Sequence, residues 1–226
     1  MKNNLLLAIL FIACLASPNA GQSKHSEPSR PAPTPSPAAN QGIKVDVKGS
    51  FEGSTYTNAA LGFTITMPEG WQVQDNETQT QFAARATERS STYGQGKPGT
   101  AAGLERTAIL FMLVRPTETP TNPIVIGIAE DIALAFNVRT PEQYLMAART
   151  NGADPAIDFD TITTSEKING ADFAWMGAKP KNPNSHTYLR YYVTLRKHHA
   201  IVFVLTFHRA EELQWCLDVL TSLKFE

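Results

Sequence analysis

Apolar and polar positions alternate most regularly between residues 56 and 71, Tyr-Thr-Asn-Ala-Ala-Leu-Gly-Phe-Thr-Ile-Thr-Met-Pro-Glu-Gly-Trp. Phe63, Ile65 and Met67 alternate with Thr64 and Thr66, which predicts a strand with one apolar and one hydroxylated face. Pro68 has no N–H to give a ladder and Gly70 tolerates unusual dihedrals, so the chain is expected to turn there. Trp71 and Val73 would then return as the second strand of a hairpin. Residues 43–51 alternate only weakly, through Ile43, Val45 and Val47, and read as an edge strand or a lead-in.

After the hairpin, residues 76–89 read as a helix capped by Asn76, and Phe82 is its only large apolar residue, which places it on the surface. Residues 90–103 collect Gly94, Gly96, Pro98, Gly99 and Gly103 and read as a loop. Its Gly-Gln-Gly-Lys-Pro-Gly has the composition of a phosphate loop but the wrong spacing, with a proline after the lysine and a strand to follow. Residues 107–114 and 124–129 are almost continuously apolar, the pattern of central strands covered on both faces. Thr140-Pro141-Glu142-Gln143 is a helix start, with Thr140 as cap, Pro141 at the first helical position and Gln143 placed to complete a capping box. Tyr144, Leu145 and Ala148 give that helix a buried side, and Asn151-Gly152 ends it.

The remainder reads as a meander. Residues 162–168 turn at Asn169-Gly170 into 171–176, and residues 188–195 reverse around Lys197-His198-His199 into 200–207. A last helix over 210–222 aligns Leu213, Cys216, Leu217 and Leu220 on one stripe, with Glu211 and Glu212 in its first turn. The succession predicts an α+β domain, an antiparallel sheet with helices packed on it.

The first 50 residues have a different character. Lys2 precedes the apolar run 5–13, long enough for a signal-peptide core and short of the roughly 20 residues a membrane span needs. Phe11-Ile12-Ala13-Cys14 resembles a bacterial lipobox, which would make Cys14 a lipidated N-terminus; ordinary cleavage after Ala16 or Ala20 is the other reading. Prolines 28, 31, 33, 35 and 37 then nearly alternate within a Ser- and Ala-rich stretch that cannot bury a core. At about 3.1 Å per residue, such a tether holds a domain on the order of 40 Å from its anchor. The expected organisation is a leader over 1–20, a tether over 21–52 and a domain over 53–226. The implied address is extracytoplasmic, with the membrane reached through an N-terminal lipid.

Composition narrows the function. A formal charge of -1 gives no basic footprint, so no nucleic acid is expected as partner. The two cysteines lie at opposite ends of the 226-residue chain, with Cys14 inside the leader, which excludes a disulfide framework.

Tyr56, Asn58, Leu61-Gly62-Phe63 and Met67-Pro68-Glu69-Gly70-Trp71 are similar to the Tyr-x-Asn entry, Gly-Phe strand and Pro-x-Gly-Trp turn of the PsbP-like superfamily. That superfamily includes the eukaryotic Ran-binding Mog protein and the periplasmic DcrB proteins of bacteria. Ile168-Asn169-Gly170-Ala171-Asp172-Phe173 resembles the family's mid-domain hairpin, and residues 219–225 its closing helix and Ser-x-x-Phe tail. The resemblance runs from Tyr56 to the C-terminus. It implies an α/β/α sandwich that binds other proteins as an accessory or assembly factor, without a shared active site. The lipobox-like leader and proline tether depart from the photosynthetic members and argue against a role in photosystem II.

Candidate chemistry is sparse. His198 and His199 sit in a predicted turn, with His186 and His208 near the ends of neighbouring strands. Imidazoles at one sheet end suit zinc or copper, but no Cys-x-x-Cys or His-x-x-x-His spacing supports a site. Cys216 lies on an apolar stripe, where cysteine behaves as a small hydrophobe. Asp154, Asp158 and Asp160 have part of a calcium-loop spacing without its glycine and glutamate, and no Gly-x-Ser-x-Gly elbow occurs. Glu130-Asp131 follow a central strand and rim a groove or simply lead into the next loop. Trp71, Trp175 and Trp215 are expected in the core more than on a recognition surface. The reading is therefore a non-enzymatic accessory or assembly protein of the bacterial envelope, without cofactor, acting on another envelope protein. The alternative is a small-molecule or metal-binding periplasmic protein with a cleft beside the 90–103 loop.

Overall fold

A computed structural model describes residues 47–93, 106–119, 121–135, 137–152 and 156–226. Cys14, the leader and most of the tether lie outside them, as does the glycine-rich segment from residue 94 to 105. Among the described residues no helix is long and apolar enough to cross a membrane.

The elements in chain order are β1 (Ser50–Glu52), β2 (Thr55–Asn58), β3 (Phe63–Thr66), β4 (Gln72–Val73), α1 (Asn76–Tyr93), β5 (Thr107–Val114) and β6 (Ile124–Asp131). There follow α2 (Pro141–Gly152), β7 (Ile157–Phe159), β8 (Thr164–Ile168), β9 (Ala171–Pro180), β10 (Tyr188–Arg196), β11 (His199–Phe207), α3 (Ala210–Thr221) and β12 (Lys224–Phe225). They form a four-stranded sheet in the order β1-β2-β3-β12 and an eight-stranded sheet in the order β4-β5-β6-β11-β10-β9-β7, with β8 also on β9. All pairs are antiparallel. The α+β class expected from the pattern is the class observed.

Three expectations need correction. The strand at Phe63 does not pair with the one after Trp71: β3 pairs with β2 and β12, whereas β4 joins β5 in the other sheet. The Pro68–Gly70 turn, with Gly70 at φ +86, thus hands the chain from one sheet to the next. The folded part also starts before residue 53, because Val47 is buried and Ser50–Glu52 pair with β2. Finally, α1 is capped by Asp75, whose Oδ1 accepts from the Thr78 N–H at 2.7 Å, and the helix runs on to Tyr93. A carboxylate one residue upstream satisfies the third helical N–H, so Asn76 is already helical.

Each face of the large sheet has its own core. On one, Ile126, Ile128, Val202 and Val204 meet Phe82 of α1 and Tyr144, Leu145 and Ala148 of α2. On the other, Phe111, Phe173, Phe203 and Leu205 meet Tyr56, Phe63 and Ile65 of the small sheet and Cys216, Val219 and Leu220 of α3. β6 is buried from Ile124 to Glu130, as its continuous apolar run predicts. A register shift between Ile109 and Phe111 puts neighbouring Leu110 and Phe111 in the same core, and Gly127 across from Phe111 leaves the ring its space. A Cβ at Gly127 would lie 2.6 Å from that ring.

Candidate functional site

The residues that carried the sequence resemblance turn out to hold the small sheet together. Tyr56 is 1% exposed, and its hydroxyl accepts from the Gly49 N–H at 2.9 Å. Asn58 is fully buried; its Nδ2 donates to the Val47 carbonyl at 2.7 Å and its Oδ1 accepts from the Leu61 N–H at 2.9 Å. Gly62 follows at φ +68, the left-handed region, and lets the chain reverse into Phe63. Asn169, at φ +48 in its Asn-Gly turn, donates from Nδ2 to the carbonyls of Thr221 and Leu223 at 2.8 and 2.6 Å. The mid-domain hairpin and the closing helix are thereby joined directly. Trp71 is buried, whereas Trp175 and Trp215 are half-buried under guanidinium groups, Arg190 4.2 Å and Arg115 4.3 Å from their ring centroids.

The histidines do not converge. Lys197 and His198 take left-handed backbone in a two-residue turn, and His199 opens β11, while His208 follows its far end. A nine-residue strand separates the two groups by roughly 27 Å at 3.3 Å per residue. His199 Nδ1 lies 2.8 Å from the Lys197 carbonyl, and His186 is exposed in the loop before β10. Among the described residues no group of three or more His, Cys, Asp or Glu side chains could hold a metal. His208 instead belongs to the start of α3. Its backbone N–H donates to Glu212 Oε2 at 2.8 Å, and Arg209 donates to Oε1 at 2.8 and 2.9 Å. Burial opposes ionisation of Glu212, but these donors outweigh it and keep the carboxyl below its ordinary range. Cys216 lies against the sheet, and burial raises its thiol far above the thiolate range, which makes it a packing residue.

Asp158 falls in β7, and Asp160 lies over Gly177, so the acidic spacing around them serves strand pairing; Asp154 is outside the described residues. The segment that follows Asp160 is tied to α2 at two points. Arg149 donates to the Asp160 carbonyl at 2.9 Å, and Ser165 donates to the Glu142 carboxylate. Residues 142, 146 and 149 lie on one helical stripe. Met146, 52% exposed, is therefore held between the two ties on α2, while Ile162, 75% exposed, lies between them on the facing segment. Met146 is thus presented to solvent by a helix whose opposite side is core, and Ile162 by the segment tied to that helix. Helix α2 itself starts as its sequence predicts: Thr140 Oγ1 accepts from the Gln143 N–H at 3.3 Å. The Gln143 side chain accepts from Arg139, one residue earlier than in a standard capping box, at 2.7 Å.

The feature that sequence reasoning placed wrongly lies beneath that helix. Glu130 does not rim a groove. It is 1% exposed in the last turnless stretch of β6, between Thr107 and Ala200 of the neighbouring strands. Its Oε2 accepts from the Tyr144 hydroxyl at 2.6 Å. Burial pushes the Glu130 carboxyl up to about 7, with the Tyr144 hydroxyl and the Arg106 charge pulling the other way. Burial and the neighbouring carboxylate likewise drive the Tyr144 phenol well above its ordinary value. Asp131 faces a different environment: it pairs with Arg106 at 2.8 Å and accepts from the Ala133 N–H at the same distance. The apolar run of β6 concealed this carboxyl, and only the placement of Tyr144 opposite it reveals the pair.

No family model matches the chain, and no curated protein matches it. Among solved structures it is similar to the solution structure of cyanobacterial PsbP (CyanoP) from Synechocystis sp. PCC 6803. The two share 12% identity, with a TM-score of 0.46, over 83% of this chain and 98% of that one.

Proposed function

We propose that the chain is an exported, non-enzymatic accessory protein of the bacterial envelope, lipid-anchored through Cys14, whose domain binds another envelope protein through the exposed side of α2. In this reading the domain is a PsbP-like α/β/α sandwich related to the Mog and DcrB proteins, and its signature residues serve the fold. The proline-rich tether concentrates it near the membrane. The observation that carries the reading is the Met146 and Ile162 pair, exposed on elements fixed to each other by the Glu142–Ser165 and Arg149–Asp160 contacts. A rigid apolar feature with a polar surround is what a protein partner covers at least cost in ordering entropy.

The test is cross-linked capture from the native envelope with the full chain and with a Met146→Glu/Ile162→Glu variant. A reproducible protein partner that the double variant loses supports the reading. Recovery that the variant leaves unchanged, or no specific recovery with folded protein, overturns it.

A further inference from the structure

We propose that the Glu130–Tyr144 contact is a proton-controlled latch that sets how firmly α2 rests on the sheet. Only its consequence for partner binding, through Met146 on the same helix, depends on the function proposed above.

The geometry makes this helix sensitive to one proton. Glu130 sits buried near the end of β6 on the α2 face of the sheet, and its partner hydroxyl comes from α2 itself. The other elements packed there present apolar groups: Phe82 from α1, and Ile132, Ala135 and Val138 from the segment after β6. Two charged groups stand near it, Arg106 favouring its ionised form and Asp131 opposing it. Arg106, just before β5, pairs with Asp131, and His199 of β11 stands opposite Asp131 in register while its ring contacts the Lys197 carbonyl. A neutral carboxyl is at home in this setting. An ionised one is held by the Tyr144 hydroxyl among aliphatic side chains, and hydration through lifting of α2 is its direct relief. The sign follows from linkage. The docked state keeps a proton that the hydrated state releases near 4.5, so docking is firmest below that value and weakens as pH rises towards about 7. Above that range it changes no further.

Hydrogen exchange of the full chain between pH 5 and pH 8, corrected for intrinsic exchange rates, tests the latch. Protection of the α2 amides is expected to fall on the order of 50-fold across that range and to stay below that of the α3 amides, which open only with the whole domain. Glu130→Gln should abolish the fall. Tyr144→Phe should shift it to higher pH, because the hydroxyl that favours the charged carboxylate is gone. A flat α2 profile in the native protein, an equal fall in the Glu130→Gln variant, or α2 amides that exchange no faster than the α3 amides each overturns the latch. Capture of a partner plays no part in these readouts, so the latch and the proposed function fail separately.

Discussion

The two faces of the large sheet are built on different principles. The face under the small sheet is filled by aromatic rings, with Phe111 and Tyr56 at 4.9 Å and Phe203 at 6.3 Å from both Phe63 and Phe173. Asn58, buried on that face, is tied to the backbone. The face under α2 is mainly aliphatic, with few rings, and contains an ionisable pair whose members come from different elements. Ring packing and side-chain-to-backbone bonds depend little on solution conditions, whereas a buried carboxyl depends on pH. The first face therefore fixes the fold, and the second leaves one helix adjustable.

The sharpest break of this contrast is Phe203→Ala, at the centre of the aromatic face. It should cost about 3–5 kcal/mol, read by chemical denaturation, and the cost should be the same at pH 5 and pH 8. Next in size is the pH dependence from Glu130. The folded carboxyl sits at about 7 against an ordinary 4.5, so stability is highest below 4.5 and declines as pH rises to about 7. The span is roughly 3 kcal/mol, and Glu130→Gln should remove that slope from denaturation curves. Asn58→Ala should cost about 1–3 kcal/mol, because it strands the Val47 carbonyl and the Leu61 N–H, again with no pH dependence in that range. Met146→Glu, on the exposed side of α2, should change stability by no more than about 0.5 kcal/mol and act only on partner capture.

What the sequence disclosed followed the range of the forces involved. The start of α2 was readable because Thr140 and Gln143 act within one turn, and the Asn169-Gly170 hairpin because its backbone demands are local. Strands β5 and β6 were readable from their almost continuous apolar runs, and β10 and β11 from the reversal around Lys197-His198-His199. The partnering of β3 was not. A proline-glycine turn looks the same whether the chain returns to its own strand or crosses to another sheet, and β4 and β12, two residues each, carry too little pattern to decide. The site was least legible of all. Glu130 lies at the end of an apolar run and resembles an exposed strand terminus until α2 folds over it; Met146 falls outside the Tyr144, Leu145 and Ala148 stripe, but nothing in the pattern shows that the segment carrying Ile162 is tied to the same helix.

The central claim is that the α2 face is the one that meets a partner. Its most direct test is a photo-reactive residue placed at Met146 and, separately, at Gln214 on the exposed side of α3, followed by irradiation of native envelopes. The account predicts a discrete protein adduct at position 146 and none at position 214. An adduct at 214 alone, equal labelling at both, or no adduct at 146 would contradict it.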